Sequence, residues 1–511
     1  MPQRSTMAAG LAALLACTAP ACADAPHAGH LGHVDFRVDC APAVRADFDH
    51  ALALLHHMTY PDARAAFRKV AERDPACAMA HWGIAMTLFQ PLWPTRPTLA
   101  DRTLGWDEVQ KARALKPSSP RDIGFIDSAA AFFETPASED YWARIHRWEA
   151  SLARLHASLP KDDDVTAFYA LAILATTPAD RIDRTHADRA AALLVPILAH
   201  NPDHPGAMHY IVHANDVPGR EKELLDITRR YERVAPDNPH ALHMPTHVYT
   251  RLGDWDGVVR GNLRAAEAAL KVPAGDKGQY VWDEYPHAIE YLVYAWLQQG
   301  KDAQAAAQRD RLWATKDLQP SFKTAFHLAS TQARYVLERR DWQAAAAIVP
   351  RQPAWVDWDK YAWPEAIAQF AHGLGAAHLG HMDDARAALT RMRALLDAMG
   401  AAKEAAFERN IHILCFELES AIAKANGHPA EAITKLQAAA TLEATTPKPA
   451  VTPAPTLPAD ELLGDLYASL GRANDARDAY RRTLAHYPNR RHAQQALARL
   501  DASPATRTAR P

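Results

Sequence analysis

The sequence predicts an all-α fold, an α-solenoid in which helix-turn-helix units form a right-handed superhelix. Segments rich in Ala, Leu and Arg are separated by Gly and Pro, and alternating runs of Val, Ile and Thr are almost absent. A chain of 511 residues is far longer than one compact domain needs, which favours several domains or an elongated array. A set of residues also recurs at a fixed offset of 34, the length of one two-helix repeat.

The offset of 34 is clearest in the middle of the chain, where two histidine pairs recur. His209 and His213 are followed 34 residues later by His243 and His247. Within each pair the spacing is four, which on a helix places both imidazoles on one face, one turn apart. Flanking residues keep the same offset: Pro202/Pro236, Asp203/Asp237, Pro205/Pro239, Ala207/Ala241 and Gly219/Gly253. The repeated fold accounts for these flanking residues, but it does not require two imidazoles in each unit.

Both ends of the chain carry the signature of a tetratricopeptide unit, a repeat of two helices. The matching residues are Tyr60, Ala63, Phe67 and Pro75 near the start, and Leu463, Gly464, Tyr467, Gly471, Ala476, Tyr480 and Pro488 near the end. Longer segments resemble a family of exported bacterial tetratricopeptide repeat proteins, above all HYIVHAND at 209–216 and HALHMPTHVYTRLG at 240–253. The resemblance covers most of the mature chain. It implies the fold, a tetratricopeptide-repeat α-solenoid, and assigns no activity.

The sequence divides into six parts. These are a signal peptide at 1–23, a histidine-containing segment at 24–40, the repeat solenoid at 41–443 with insertions near 92–121 and 272–283, a connection rich in Pro and Thr at 444–458, a C-terminal repeat unit at 459–498, and a disordered tail at 499–511. We expect the 444–458 segment to be a surface linker; a path back over the groove is the alternative.

The first 23 residues predict export. Arg4 precedes an apolar run at 7–16, and the small residues at 21–23 suit cleavage before Asp24. A soluble periplasmic protein is expected, and the alternative is a lipoprotein anchored through Cys17. The apolar run is too short to span a bilayer, and no later stretch is long and apolar enough, so no transmembrane segment is predicted.

Three cysteines remain after the leader, in a compartment where disulfides persist. Cys40 and Cys77 are expected to precede consecutive repeat helices at the same end of the array. A disulfide between them is one interpretation, and two small buried thiols are the other. Cys415 lies in a helical run and is expected in the core.

Tetratricopeptide arrays resemble one another in geometry, and this resemblance implies which side chains line the concave groove. It places His209, His213, His243 and His247 at groove positions of two successive first helices. The same register adds Asp216, His240 and Arg251 from these two units, and His287, Glu290 and Tyr294 from the next unit. Three neighbouring helices are therefore expected to direct ionisable side chains to one place.

A transition metal is the simplest ligand for such a site. Packed helices lie about 8–10 Å apart, so that histidines from adjacent helices can reach one ion. The predicted ligands are His209, His213, His243, His247 and His287. Asp216 or Glu290 is expected as an oxygen ligand or as the acceptor that orients a histidine. Zn²⁺ suits two or three nitrogens with an oxygen, Cu²⁺ suits nitrogen alone, and iron suits two histidines with one carboxylate.

Three functions are compatible with this predicted site. The first is a periplasmic binding or scaffold protein with a metal or small ligand in its groove. The second is a metal-dependent hydrolase or oxygenase with Asp216 or Glu290 as base and Arg251 as anion-stabilising group. The third is a metal-free module that binds peptides or proteins. A net charge of −3, from 57 basic and 60 acidic residues, excludes a nucleic-acid footprint.

Overall fold

Helices make up almost all of the regular secondary structure in this computed structural model, which describes residues 30–502 apart from 94, 139, 276 and 403. Most helices pack on the helices before and after them in the chain, so the molecule is an α-solenoid of helical hairpins. The predicted fold class, an all-α tetratricopeptide-repeat solenoid, is confirmed. The predicted signal peptide, with Cys17, residues 24–29 of the histidine-containing segment and residues 503–511 of the predicted tail lie outside the described residues. The prediction of a disordered tail is wrong for 499–502, which belong to the last helix, Arg491–Ala502.

The described elements run in chain order from one end of the array to the other. The helices are α1 Arg45–His56, α2 Tyr60–Arg73, α3 Ala78–Met86, α4 Leu99–Ala114, α5 Pro120–Phe133, α6 Tyr141–Ser158, α7 Asp163–Ala175, α8 Thr185–His200, α9 Pro205–Asn215, α10 Leu225–Val234, α11 Pro239–His243, α12 Pro245–Leu252, α13 Trp255–Ala269, α14 Glu284–Gln298, α15 Asp302–Ala314, α16 Phe322–Glu338, α17 Trp342–Ala346, α18 Ala362–Leu379, α19 Met382–Ala401, α20 Ala405–Ala425, α21 Pro429–Thr445, α22 Ala459–Ser469, α23 Ala473–His486 and α24 Arg491–Ala502. The strands are β1 Pro273–Ala274 and β2 Tyr280–Val281. Within the described ranges, no helix combines the length and the apolar character needed to cross a membrane.

The 34-residue offset sets the helix starts of the two histidine repeats. α9 begins at Pro205 and α11 at Pro239, where the missing proline N–H would have no helical partner in any case. The side chains of His204 and Asn238 cap these starts by accepting the N–H of the third helical residue. Pro245 then separates α11 from α12, because proline cannot donate a helical hydrogen bond.

The two predicted insertions have different structures. In the 92–121 segment, α4 packs on α3 and α5 as a member of the array, so most of this segment is not an extended connection. A capping box between Thr98 and Asp101 starts α4, which lacks the signature residues of the repeat. The 272–283 segment does interrupt the helices, since β1 and β2 pair there as an antiparallel hairpin.

Cys40 and Cys77 form a disulfide, with their Cα atoms 4.7 Å apart. The structure thereby decides between the two interpretations of these cysteines. Cys77 is the N-cap of α3, and Cys40 lies just before a single 3-10 turn at Pro42–Val44 that leads into α1. The bond thus links the beginnings of two successive hairpins. Cys415 is buried in α20 as a free thiol, as expected for a core residue.

Of the segment predicted at 444–458, residues 444 and 445 complete α21, and residues 446–458, here called the cover segment, run through the interior of the array. Val451 is 2% exposed and Leu457 is fully buried, so the prediction of a surface linker is wrong. Arg334 of α16 donates hydrogen bonds to the hydroxyl of Thr452 and to the carbonyl of Pro455, at 2.8 and 2.7 Å. Buried donors from distant helices therefore satisfy a backbone that forms no helix or sheet of its own.

Candidate metal centre

Six histidines lie together in the interior, at the junction of the N-terminal and C-terminal halves of the hydrophobic core. The first triplet is His209, His213 and His240, and the second triplet is His243, His247 and His287. In each triplet, three ring nitrogens, one from each histidine, all lie within 4.8 Å of one another. Five of the six side chains are at most 4% exposed and His213 is half-buried. The predicted groove residues do converge, but in a covered interior and not on an open surface.

His243 is held in one tautomer by the network around Asn262. The amide nitrogen of Asn262 donates to the hydroxyl of Thr246 and to the carbonyl of Val258, at 3.0 and 2.9 Å. Its carbonyl oxygen therefore faces Nδ1 of His243, at 2.6 Å. Nδ1 must carry the proton in that hydrogen bond, which leaves a lone pair on Nε2 of His243.

His247 is held in the same way by Asp216. Nδ1 of His247 donates to Oδ2 of Asp216 at 2.8 Å, and Arg251 and Lys448 bind the same carboxylate at 2.5 and 3.2 Å. Although burial by itself raises the pKa of Asp216, Lys448 and Arg251 hold that pKa well below its usual range. The ionised carboxylate fixes the proton on Nδ1 of His247, so that Nε2 carries the lone pair.

The two Nε2 atoms of His243 and His247 lie 2.9 Å apart. Burial lowers the pKa of both rings, so both are neutral at pH 7 and two lone pairs face each other. Two nitrogens bound to one tetrahedral zinc ion at 2.0–2.1 Å are about 3.3 Å apart. A shared cation would turn this unfavourable contact into two favourable bonds.

His287 is oriented by a relay that begins at Glu290. The carboxylate of Glu290 accepts from Nδ1 of His327, from Ser330 and from Arg334, at 2.5, 2.5 and 2.9 Å. Nε2 of His327 then accepts from Nδ1 of His287 at 3.1 Å. Burial raises the pKa of Glu290, but its bonds to His327 and Arg334 leave the pKa below its ordinary value. The relay therefore leaves Nε2 of His287 free to bind a metal.

The first triplet contains ring nitrogens whose hydrogen bonds are not satisfied. Nδ1 of His209 donates to the carbonyl of His56 at 2.6 Å. In the described part of the chain, Nε2 of His209 and Nε2 of His213 are buried without a hydrogen-bond partner. Neither nitrogen of His240 makes a hydrogen bond of good geometry to a described residue, although its Nδ1 is 3.2 Å from Oε2 of Glu284.

A cavity of about 20 Å³ lies between the two triplets. Its histidine lining comes from both: His213 and His240 from the first triplet, and His247 and His287 from the second. The rest of the wall is formed by Leu92, Trp93, Met244, Glu284, Lys323, Ala450 and Val451. This volume is sufficient for one water molecule, which needs about 10–15 Å³ by the same measure.

The structure assigns different roles to the other predicted site residues. Asp216 orients His247, and Glu290 orients His287 through His327, so both carboxylates are acceptors. Arg251 is paired with Asp216 and is not free to stabilise a substrate anion.

The prediction for Tyr294 is wrong. Its hydroxyl meets Arg490 at 3.3 Å, and its ring packs on Trp255 in another cluster. Tyr294 is seven residues after His287, which places it about 10 Å further along α14. Tyr291, only one turn after His287, packs against three of the histidines, with ring centroids 4.7 to 5.3 Å apart.

Sequence reasoning did not identify several residues that complete the site. They are Asn262, Glu284, Tyr291, Lys323, His327 and Lys448. His327 offered a usable signal, because it lies on the first helix of the hairpin that follows α14 and α15. Its separation of 40 residues from His287 breaks the offset of 34, since a connection intervenes after α15. The sequence contained no such signal for Lys448, because this residue lies in the cover segment, outside the repeat pattern.

A further histidine, His56, lies close to Asp164 and His204. Its Nε2 is 3.6 Å from a carboxylate oxygen of Asp164, and Nε2 of His204 is 3.5 Å from the same oxygen. Nδ1 of His204 accepts the N–H of Ala207, so its Nε2 carries the proton and points it at Asp164. The other oxygen of the Asp164 carboxylate accepts a hydrogen bond from Arg121 at 3.2 Å, so this carboxylate already has a cationic partner.

No family model matches the chain, and no curated protein is similar to it in sequence. Solved structures of low similarity include the Cut9–Hcn1 hetero-tetramer of APC/C, with 12% identity, 89% of each chain covered and a TM-score of 0.33. The human IFIT1 dimer with m7Gppp-AAAA has 13% identity, 83% and 90% coverage and a TM-score of 0.41. Yeast Tom70 has 9% identity, 89% and 88% coverage and a TM-score of 0.33. At these values the likenesses carry no information about the histidine centre.

Proposed function

We propose that this protein is an exported helical-repeat protein that binds a transition metal in its interior, with the second triplet as ligands. One observation carries the proposal: the Nε2 atoms of His243 and His247 lie 2.9 Å apart while both Nδ1 atoms are engaged as donors. Metal-ligating histidines typically have the other ring nitrogen bound to a carboxylate or carbonyl in this way.

The donor set favours copper or zinc. All three ligands of the second triplet are imidazoles, which suit Cu²⁺ and Zn²⁺. An iron site of two histidines and one carboxylate needs a free carboxylate, and Asp216 and Glu290 are already bound by arginine and histidine. Iron is therefore the less suited of the three candidate metals.

The covered position of the histidines supports metal binding over the two alternatives. A peptide module needs these side chains on an open concave surface, and the cover segment occupies that space. A hydrolase for large substrates needs room that a cavity of about 20 Å³ does not provide. Protein partners on other surfaces of the solenoid are compatible with the proposal, because such arrays commonly offer extended binding surfaces.

Export is part of the proposal. The disulfide between Cys40 and Cys77 supports it, because such bonds persist in the periplasm and are rare in the cytosol. We propose a soluble periplasmic protein, with the lipoprotein anchored through Cys17 as the alternative. Fractionation of cells and the mass of the mature chain test both, since a start at Asp24 and a lipid-modified Cys17 differ in mass.

Elemental analysis tests the metal site. Untagged protein, purified from cells grown with trace metals, is expected to contain at least one equivalent of copper or zinc. The double variant His243→Ala plus His247→Ala is expected to lose metal while remaining helical by circular dichroism. His428→Ala, at an exposed histidine, is the matched control and keeps its metal. Metal-free protein whose melting temperature does not change with added Zn²⁺ or Cu²⁺ contradicts the proposal.

A further inference from the structure

The first triplet has the features of a second metal site. We infer that the protein binds two ions, one in each triplet, with one water-sized ligand in the cavity between them. This inference rests on the proposed function, because it requires that the second triplet also binds metal. It concerns the residues His209, His213 and His240.

The histidines are too widely spread to serve a single ion. Two nitrogens bound to one ion at 2.0–2.1 Å can be at most about 4.2 Å apart. The six histidines form two separate sets within 4.8 Å, and not one. Rings from different triplets are also well separated, with centroids 6.4 Å apart for His240 and His243 and 6.5 Å for His213 and His247.

His209 is fixed in the orientation that a ligand needs. Its Nδ1–H is bound to the carbonyl of His56, and its ring stacks on Tyr231 with centroids 5.6 Å apart and an angle of 13°. Tyr231 is itself held by His57 through a hydrogen bond of 2.7 Å. The remaining nitrogen, Nε2, is buried and meets no hydrogen-bond partner within the described ranges. A rigid imidazole with one bound and one free nitrogen is typical of a metal ligand.

His213 and His240 add buried nitrogens at the same place. Leaving such atoms without partners in the interior is costly, and a single ion would satisfy one nitrogen from each ring. Glu284 lies beside His240 and is paired with Lys323. Its carboxylate therefore places negative charge near the first triplet while it stays bound to Lys323. The first triplet therefore offers three nitrogens, as the second does.

The cavity determines the class of ligand between the ions. It is lined by two histidines from each triplet and has a volume of about 20 Å³. Water, hydroxide or a diatomic molecule such as dioxygen fits this space, and a carboxylic acid or peptide does not. Each triplet supplies three ligands, so a fourth tetrahedral position on each ion can face the cavity.

The number of bound ions tests the inference. Full-length protein is stripped with a chelator, loaded with excess Zn²⁺, desalted and analysed by mass spectrometry of the elements. Two equivalents are expected for the wild type and for His428→Ala. One equivalent is expected for His209→Ala plus His213→Ala, and one for His243→Ala plus His247→Ala. His209→Gln plus His213→Gln, checked by circular dichroism, replaces the alanine pair if that variant does not fold.

The outcomes separate the two proposals. One equivalent in the wild type, retained in the first-triplet variant and lost in the second-triplet variant, overturns the second ion and leaves the proposed function standing. Protein without any metal overturns both. Loading with Cu²⁺ tests the ligand between the ions, because a bridged pair gives an electron paramagnetic resonance intensity well below two spins. Full intensity for two independent copper ions overturns the shared ligand.

Discussion

Lys448 and Asp216 are 232 residues apart in the chain, and their Nζ and Oδ2 atoms meet at 3.2 Å in the interior. Asp216 is also the carboxylate that orients His247. The cover segment is therefore coupled to the second triplet by an ion pair. Tyr291 strengthens this link, because its hydroxyl lies 3.3 Å from the carbonyl of Thr452 and 3.4 Å from Nδ1 of His247.

Replacing Lys448 is expected to speed the release of metal. In Lys448→Met the cover segment loses its ion pair to Asp216, and we expect release to a chromophoric chelator to become about tenfold faster, the equivalent of about 1.4 kcal/mol. Lys360→Met is the matched control, because Lys360 is 69% exposed and its partner Asp357 is exposed as well. Metal release from this variant is expected to match the wild type. Equal release rates in Lys448→Met and the wild type would show that the cover segment does not limit access.

Asp216→Asn is expected to weaken metal binding by about 10-fold to 100-fold, because the acceptor that orients His247 loses its charge. It also leaves Arg251 and Lys448 without a carboxylate, which costs about 3–5 kcal/mol of stability. Competition with a chelator of known affinity measures the first effect, and urea unfolding measures the second. Asp127→Asn is the control, since this half-exposed side chain is paired with the half-exposed Arg113 and is expected to contribute less than about 1 kcal/mol. Unchanged metal affinity in Asp216→Asn would contradict its orienting role.

Removing the disulfide is expected to destabilise the protein. The bond between Cys40 and Cys77 closes a loop with a sequence separation of 37, for which the chain-entropy estimate is about 4 kcal/mol and typical measured values are about 2–4 kcal/mol. Cys40→Ala plus Cys77→Ala should lower the urea midpoint of the N-terminal half. A reducing agent should lower the midpoint of the wild type similarly and leave that of the variant unchanged. A wild-type midpoint that does not respond to reduction would refute the expectation.

The protein is expected to become less stable as the pH rises, because of the buried side chain of Glu443. Burial raises its pKa from 4.5 to about 7, against the opposing hydrogen bonds from the Ala459 N–H and the Tyr487 hydroxyl. Because the folded state holds the proton more tightly, this contribution to stability is complete below about pH 4.5 and is lost as the pH rises through about 7. The loss amounts to about 3 kcal/mol.

Glu443→Gln removes this titration. Urea unfolding between pH 5 and pH 8 should therefore give a free energy of unfolding that falls less in the variant than in the wild type. Glu431→Gln, on the same helix but exposed, is the control and should follow the wild type. Parallel pH profiles for Glu443→Gln and the wild type would exclude Glu443 as the source.

The repeat register could be predicted because it depends on short-range patterns. Pro205 and Pro239 occupy the first positions of their helices, and His204 and Asn238 act as caps, all at the offset of 34 read from the sequence. The same register placed the histidine pairs on one side of their helices. It failed for Tyr294, because distance along a helix matters as much as the face on which a residue lies.

The partners of the histidines could not be predicted, because they come from segments without the repeat. Asn262 lies on the second helix of its hairpin, and His327 follows a connection that breaks the offset. Lys448 belongs to a stretch whose Pro and Thr composition resembles that of a surface linker. Composition does not reveal that buried arginine and tyrosine side chains elsewhere satisfy this backbone.

The sequence by itself determined the all-α repeat fold, the helix starts of the two histidine repeats and the presence of two imidazoles in each. These features follow from spacing and local hydrogen bonding within about one repeat. Only the tertiary structure decided that the histidines form two triplets, which ring nitrogen of each remains free and what covers them. Those properties depend on contacts such as that between Lys448 and Asp216, which join distant parts of the chain and leave no periodic trace in the sequence.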